Sequence, residues 1–193
     1  MNSTIKYILI GLAIIIVLPL ILGIFVDKEY RVEREIEIQK PRTEVFDYVK
    51  HLKNQDEYSV WSKMDPDMEK TFTGQDATVG FISAWNSEDP DVGSGEQEIL
   101  AISPNERIDF ELRFKEPFES TSQAYITTES ISDSTTLVSW GFTGRMNYPM
   151  NLMLVFMNLE EAIGGDLSEG LANLKENIEP QNPEMQYLQE NEQ

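Results

Sequence analysis

The side chains that could carry out chemistry are few and scattered. The chain has one histidine, His51, and no cysteine. Disulfides, thiol catalysis and thiolate metal sites are therefore absent, and a histidine-rich metal site has too few ligands. His51 falls at the end of a predicted helix, where a lone histidine commonly caps the chain. A hydrolase triad would have to use it, yet the sequence contains no G-x-S-x-G elbow. Asp65/Asp67 and Asp89/Asp91 flank prolines in turns and lack the D-x-D-x-D-G spacing of a calcium loop. Gly93-Ser94-Gly95 is too sparse for a dinucleotide fingerprint and reads as a hairpin turn. No catalytic set, metal or cofactor is assigned.

The remaining chemistry is apolar recognition. Phe110, Phe114, Trp140 and Phe142 occupy same-face positions of two expected strands, and Phe156 lies on a helical stripe that should close over them. These five are the candidate cavity residues. A buried indole N–H needs a partner, which a ligand or a cavity water supplies. Trp61 and Trp85 read equally as core aromatics. Met146, Met150, Met153 and Met157 are adaptable fillers of the kind found in cores and at promiscuous binding surfaces. A packed core and a lined cavity both fit this pattern.

The elements that position these residues begin with an anchor. Tyr7 to Val26 is an uncharged apolar run, about 20 residues long and so sufficient to span a bilayer. It lacks a small-x-small cleavage site, so an uncleaved single-pass helix is expected over residues 7–26. Lys6 precedes the span, whereas Lys28, Arg31, Arg34, Lys40 and Arg42 follow it. The positive-inside rule tilts the soluble part toward the cytoplasm and leaves the side open. That part is strongly acidic, because the chain has 34 Asp+Glu against 15 Lys+Arg and a net charge of -19. Such a surface repels phosphate backbones, which argues against nucleic acid, and it does not favour anionic lipid.

The soluble domain is expected over residues 30–178, followed by an acidic disordered tail over 179–193. Tyr30 to Ile38 alternates as a strand, and Pro41 opens a helix carrying Val45, Phe46 and Val49. A short second helix covers Asp56 to Trp61. Six strands then follow as an antiparallel meander: Thr71 to Gly74, Val79 to Trp85, Gly95 to Ile102, Arg107 to Phe114, Gln123 to Thr128 and Thr136 to Phe142. A single apolar stripe from Leu152 through Phe156, Leu159, Ile163, Leu167, Leu171 and Leu174 to Ile178 predicts a long amphipathic helix. Gly164-Gly165 is the expected place for a bend. A curved sheet with one apolar face and a matching helix make an α+β helix-grip fold.

Several segments, in order, resemble the polyketide cyclase/dehydrase and lipid-transport family of the START-related (SRPBCC) superfamily. They are Pro41 to Val49, Trp61-Ser62 with Asp65-Pro66, Trp85 with Val92-Gly93-Ser94-Gly95, and Phe114 with Pro117-Phe118. Val138-Ser139-Trp140, Ile163-Gly164-Gly165-Asp166 and Gly170-Leu171 with Asn173-Leu174-Lys175 complete the set, which spans Arg31 to Ile178. The resemblance implies a hydrophobic cavity and binding of a lipid-like or aromatic small molecule, in transport or sensing, without implying catalysis. Two alternatives stay open. One is a cyclase or dehydratase acting on a polyketide-like substrate, for which Tyr125, Thr127 and Ser139 are the remaining polar strand residues. The other is a ligand-free, membrane-tethered interaction module.

Overall fold

The computed structural model describes residues 3–179; the expected acidic tail lies, but for Glu179, outside the described residues. Helix α1 (Ser3–Gly23) has no acidic first turn and no basic last turn, and Pro19 lies inside it. Its length and apolar composition suit a membrane span, and a signal sequence has the same two properties. After a five-residue link, Ile24 to Lys28, strand β1 (Glu29–Ile38) begins. Helix α2 (Arg42–Val49) buries Val45, Phe46 and Val49, one side of two turns. Two short helices follow, α3 (Gln55–Tyr58) and α4 (Val60–Met64).

Six further strands come next: β2 (Glu69–Thr73), β3 (Ile82–Asn86), β4 (Ser94–Ser103), β5 (Arg107–Glu116), β6 (Ser120–Ser132) and β7 (Thr135–Arg145). They form one antiparallel sheet in the order β1-β7-β6-β5-β4-β3-β2, so β1 returns to pair with the last strand. Alternation places Ile108, Phe110, Ala124, Ile126, Val138 and Trp140 on the buried face. The seven strands and the covering terminal helix are those read from the alternation and the stripe.

The terminal segment departs from the expected single helix. A 3-10 turn (Met150–Leu152) leads into a short helix α5 (Met153–Phe156), and the long helix α6 starts only at Leu159 and runs to Ile178. The break is at Met157-Asn158, not at the glycine pair. Asn158 caps α6, its side-chain oxygen accepting from the Glu161 N–H at 3.3 Å, and Met157 is extended. The helix continues through Gly164, where a Cβ would collide with the Arg34 guanidinium. It is a close-approach residue and not a hinge. Leu167, Leu171 and Leu174 of α6 are buried across the concave face, so the stripe works from Ile163 onward.

Candidate functional site

Because the sheet is antiparallel, one of its ends gathers the start of β1, the ends of β3, β5 and β7, and the starts of β4 and β6. At this end α6 and the sheet part, and a cavity of about 920 Å³ opens between them. Trp61, Trp85, Leu112, Phe114, Trp140 and Phe142 make its apolar wall. Trp140 meets Tyr58 and Trp61 edge-on, with ring centroids 5.6 and 6.2 Å apart. Trp85 meets Phe114 in the same way at 5.8 Å. These separations are within the range in which edge-to-face pairs are favourable. Trp85 can lie flat because its neighbour across the strands is Gly95, where a Cβ would stand 2.7 Å from the indole.

A row of polar residues crosses this apolar face. The register runs from Ser83 to Gln97, then to Leu112 and Ser122 on successive strands. Ser83, Gln97 and Ser122 all line the cavity, as does Tyr30 on β1. Gln97 is 8% exposed and Ser122 7%. Neither side chain joins the side-chain hydrogen-bond network of the described residues. Burial holds the Tyr30 phenol above its ordinary pKa, so it stays protonated at neutral pH. The row therefore offers neutral donors and acceptors to whatever fills the cavity.

The charged groups of the wall are Asp56, Asp91, Glu116 and Glu119 against Lys70 and Arg145, four carboxylates to two cations. Both cations are already paired. Lys70 Nζ stands 2.6 Å from Asp56 Oδ1, and Arg145 Nη1 stands 3.0 Å from Glu29 Oε1. Ser62 Oγ donates to Asp56 as well, at 3.2 Å. Among the described residues the wall thus provides no free cation to hold an anionic head group, while three carboxylates, Asp91, Glu116 and Glu119, oppose one.

Of the five residues read from the sequence, Phe114, Trp140 and Phe142 line the cavity. Phe110 does not. It is 1% exposed, opposite Ile99 and Ala124, in the packed core beyond the cavity floor. Phe156 is 82% exposed on α5, outside the cavity, because the break at Met157-Asn158 detaches it from the α6 stripe. Trp61, Trp85, Gln97, Ser122 and Tyr30 are additional wall residues. Gln97 had a readable signal: it is in phase with Gly95 and Ile99, a polar residue on an otherwise apolar face.

The polar residues held open for proton transfer lie elsewhere. Tyr125, Thr127 and Ser139 occupy the convex face, with the sheet between them and the cavity. Tyr125 hydrogen-bonds Arg31 and Glu33, and the Arg107 guanidinium lies 4.0 Å over its ring. The Tyr125 hydrogen bond holds the Glu33 carboxyl below its ordinary pKa. Ser139 donates to Glu35 at 3.0 Å. Arg113 links Glu96, Glu98 and Glu111 on the same face, and the Arg113 hydrogen bond lowers the pKa of Glu96. His51 Nδ1 faces Asp76 at 3.4 Å, while Asp76 accepts from the Leu52 N–H. His51 is a loop-organising residue that does not line the cavity.

A family profile for polyketide cyclase / dehydrase and lipid transport matches residues 29–179, all seven strands and α6. The chain belongs to that family. Among solved structures, the fold is similar to a Nitrosospira multiformis protein at 17% identity and TM-score 0.53, covering 78% of this chain and 97% of that one. It is also similar to the Aha1 dimer of Colwellia psychrerythraea at 12% identity and TM-score 0.54, covering 78% of this chain and 96% of that one. The XoxI protein of Bacillus cereus matches at 15% identity and TM-score 0.55, over 77% of this chain and 94% of that one. At such identities the likeness is one of fold. No curated protein matches this chain in sequence.

Proposed function

We propose that this family member is a membrane-anchored binding module for an uncharged hydrophobic small molecule, lipid-like or aromatic, carrying at least one hydrogen-bonding group. The observation that carries this reading is the cavity of about 920 Å³, walled by three tryptophans yet crossed by Gln97 and Ser122. Phe114, Trp140 and Phe142 are its apolar contacts, and the polar row fixes orientation. The excess of wall carboxylates selects against fatty-acid anions. Burying about 200 Å² of apolar ligand surface contributes roughly 5 kcal/mol before ordering costs, which alone corresponds to a dissociation constant of about 0.2 mM, so tighter binding requires a larger buried area and the polar row.

In this reading α1 is an uncleaved anchor. Asn151 supports it, because its side-chain amide donates to the carbonyls of Gly23 at 2.7 Å and Val26 at 3.0 Å. The last turn of α1 is thereby built into the soluble domain. The proposed division is a span over 7–26, a binding domain over 30–178 and an acidic tail over 179–193, with the charge distribution tilting the domain toward the cytoplasm.

The test uses the full-length protein in phosphatidylcholine nanodiscs. A long-chain alcohol, its matched carboxylic acid and a flat hydroxylated aromatic are titrated in turn while tryptophan emission is recorded. Saturable changes with the alcohol or the aromatic, and weaker ones with the acid, are expected. A cavity that responds to none of the three, and from which native mass spectrometry releases no bound small molecule, would overturn the proposal.

A further inference from the structure

The cavity mouth and the anchor share one end of the molecule. The link from α1 to β1 is five residues, Ile24 to Lys28, so the sheet end that begins β1 must lie against the bilayer that α1 spans. That is the end at which the cavity opens. The segment after β7 is tied to the same place by the two Asn151 hydrogen bonds, by the Met146 N–H donating to the Lys28 carbonyl at 2.8 Å, and by Leu152 packing on Gly23.

Large apolar side chains are exposed here. Phe118, in the β5–β6 turn on the cavity rim, is 79% exposed, and Phe25 at the end of α1 is exposed too. Tyr148 and Met150 lie on the rim, and α5 adds Val155 and Phe156. The opposite end, with the β2–β3, β4–β5 and β6–β7 connections, presents mainly polar turns, and its exposed large apolar residues, Val79 and Ile131 at the tips with Phe72 and Leu100 on the strands behind them, are dispersed and do not flank the cavity mouth. Aromatic and aliphatic side chains next to a membrane helix partition into the interfacial layer, while the acidic surface opposes attachment by charge.

We infer that the rim formed by Phe118, Tyr148, Met150 and α5 inserts into the uncharged interfacial layer of the anchoring bilayer, so that the cavity opens into the membrane and takes its ligand from there. The occupant of this apolar surface is the lipid of the membrane crossed by α1. The inference rests on the anchor reading above, and does not depend on which molecule fills the cavity. Insertion also accounts for Asn151: a fixed joint between α1 and α5 holds the rim at one depth.

The chain has no cysteine, so single labelling sites are available without other changes. Phe118→Cys, Phe156→Cys and the far-end control Ile131→Cys are each made in the full-length protein and labelled with an environment-sensitive fluorophore. Each is then reconstituted in phosphatidylcholine vesicles, with and without a lipid carrying a nitroxide near its carbonyls. Labels at 118 and 156 are expected to lose more than half their emission to the nitroxide, and the label at 131 almost none. Equal weak quenching at all three sites would overturn the inference, even where the alcohol probe binds. Strong quenching at 118 and 156 with no probe response supports membrane insertion and counts against the ligand reading alone. Phe118→Asp is a second check. It should lower quenching at 156 and slow uptake of a vesicle-borne long-chain alcohol, and unchanged values of both would count against the inference.

Discussion

Gln97 shows how a single residue sets what a cavity accepts. Its amide lies in phase with Gly95 and Ile99 on β4 and level with Ser122 two strands away. In a packed core an amide without a partner costs a few kcal/mol, so its place on a cavity wall is the arrangement that leaves room for one. Gln97→Leu should fill similar volume while removing the donor and acceptor. We expect binding of a long-chain alcohol to weaken by about 2- to 10-fold, the value of one neutral hydrogen bond. Binding of the matching alkane should be unchanged or slightly improved. Equal loss for both probes, measured by tryptophan emission, would show that Gln97 acts only through packing. Trp140 is the converse case, an aromatic that belongs to the core through Tyr58 and to the cavity through Trp61.

The helix α6 owes its position to its spacing of small and large residues. Gly164 and Gly170 admit the Arg34 guanidinium and the Trp140 ring, and Leu167, Leu171 and Leu174 fill the space between. The stripe was readable from residue spacing, and so were all seven strands. The break at Asn158 was less so, because an Asn in a helical pattern reads either as a mid-helix residue or as a cap. What decides it is that the segment before it is tied to Gly23 and Val26 through Asn151. Leu171→Asp should abolish cooperative folding, because a buried unpaired carboxylate costs several kcal/mol against a total stability of roughly 5–15 kcal/mol. Circular dichroism of the full-length protein in micelles checks this. A wild-type melting curve would mean that the helix does not cover the sheet.

For the whole molecule, one N-terminal helix is long and apolar enough to span a membrane, and the acidic surface of the rest opposes binding to anionic lipid through charge. The full-length chain should remain in membranes after carbonate extraction and after high salt, since an inserted helix is not held by ionic contacts. Release by either wash would remove the anchor. By itself the sequence determined what is written in local patterns: the apolar N-terminal run, the period-2 strands, the period-3.6 helix and the lack of any thiol. Phe114, Trp140 and Phe142 were legible as cavity candidates because alternation fixes which face a strand residue occupies. How deep along that face each ring lies depends on strand register and on where α6 lifts off. Both arise from contacts far apart in the chain, so Phe110 falls in the packed core and Phe156 outside. The polar row has the same origin. Ser83, Gln97 and Ser122 are separated by many residues along the chain, and only the pairing of four strands makes them one wall.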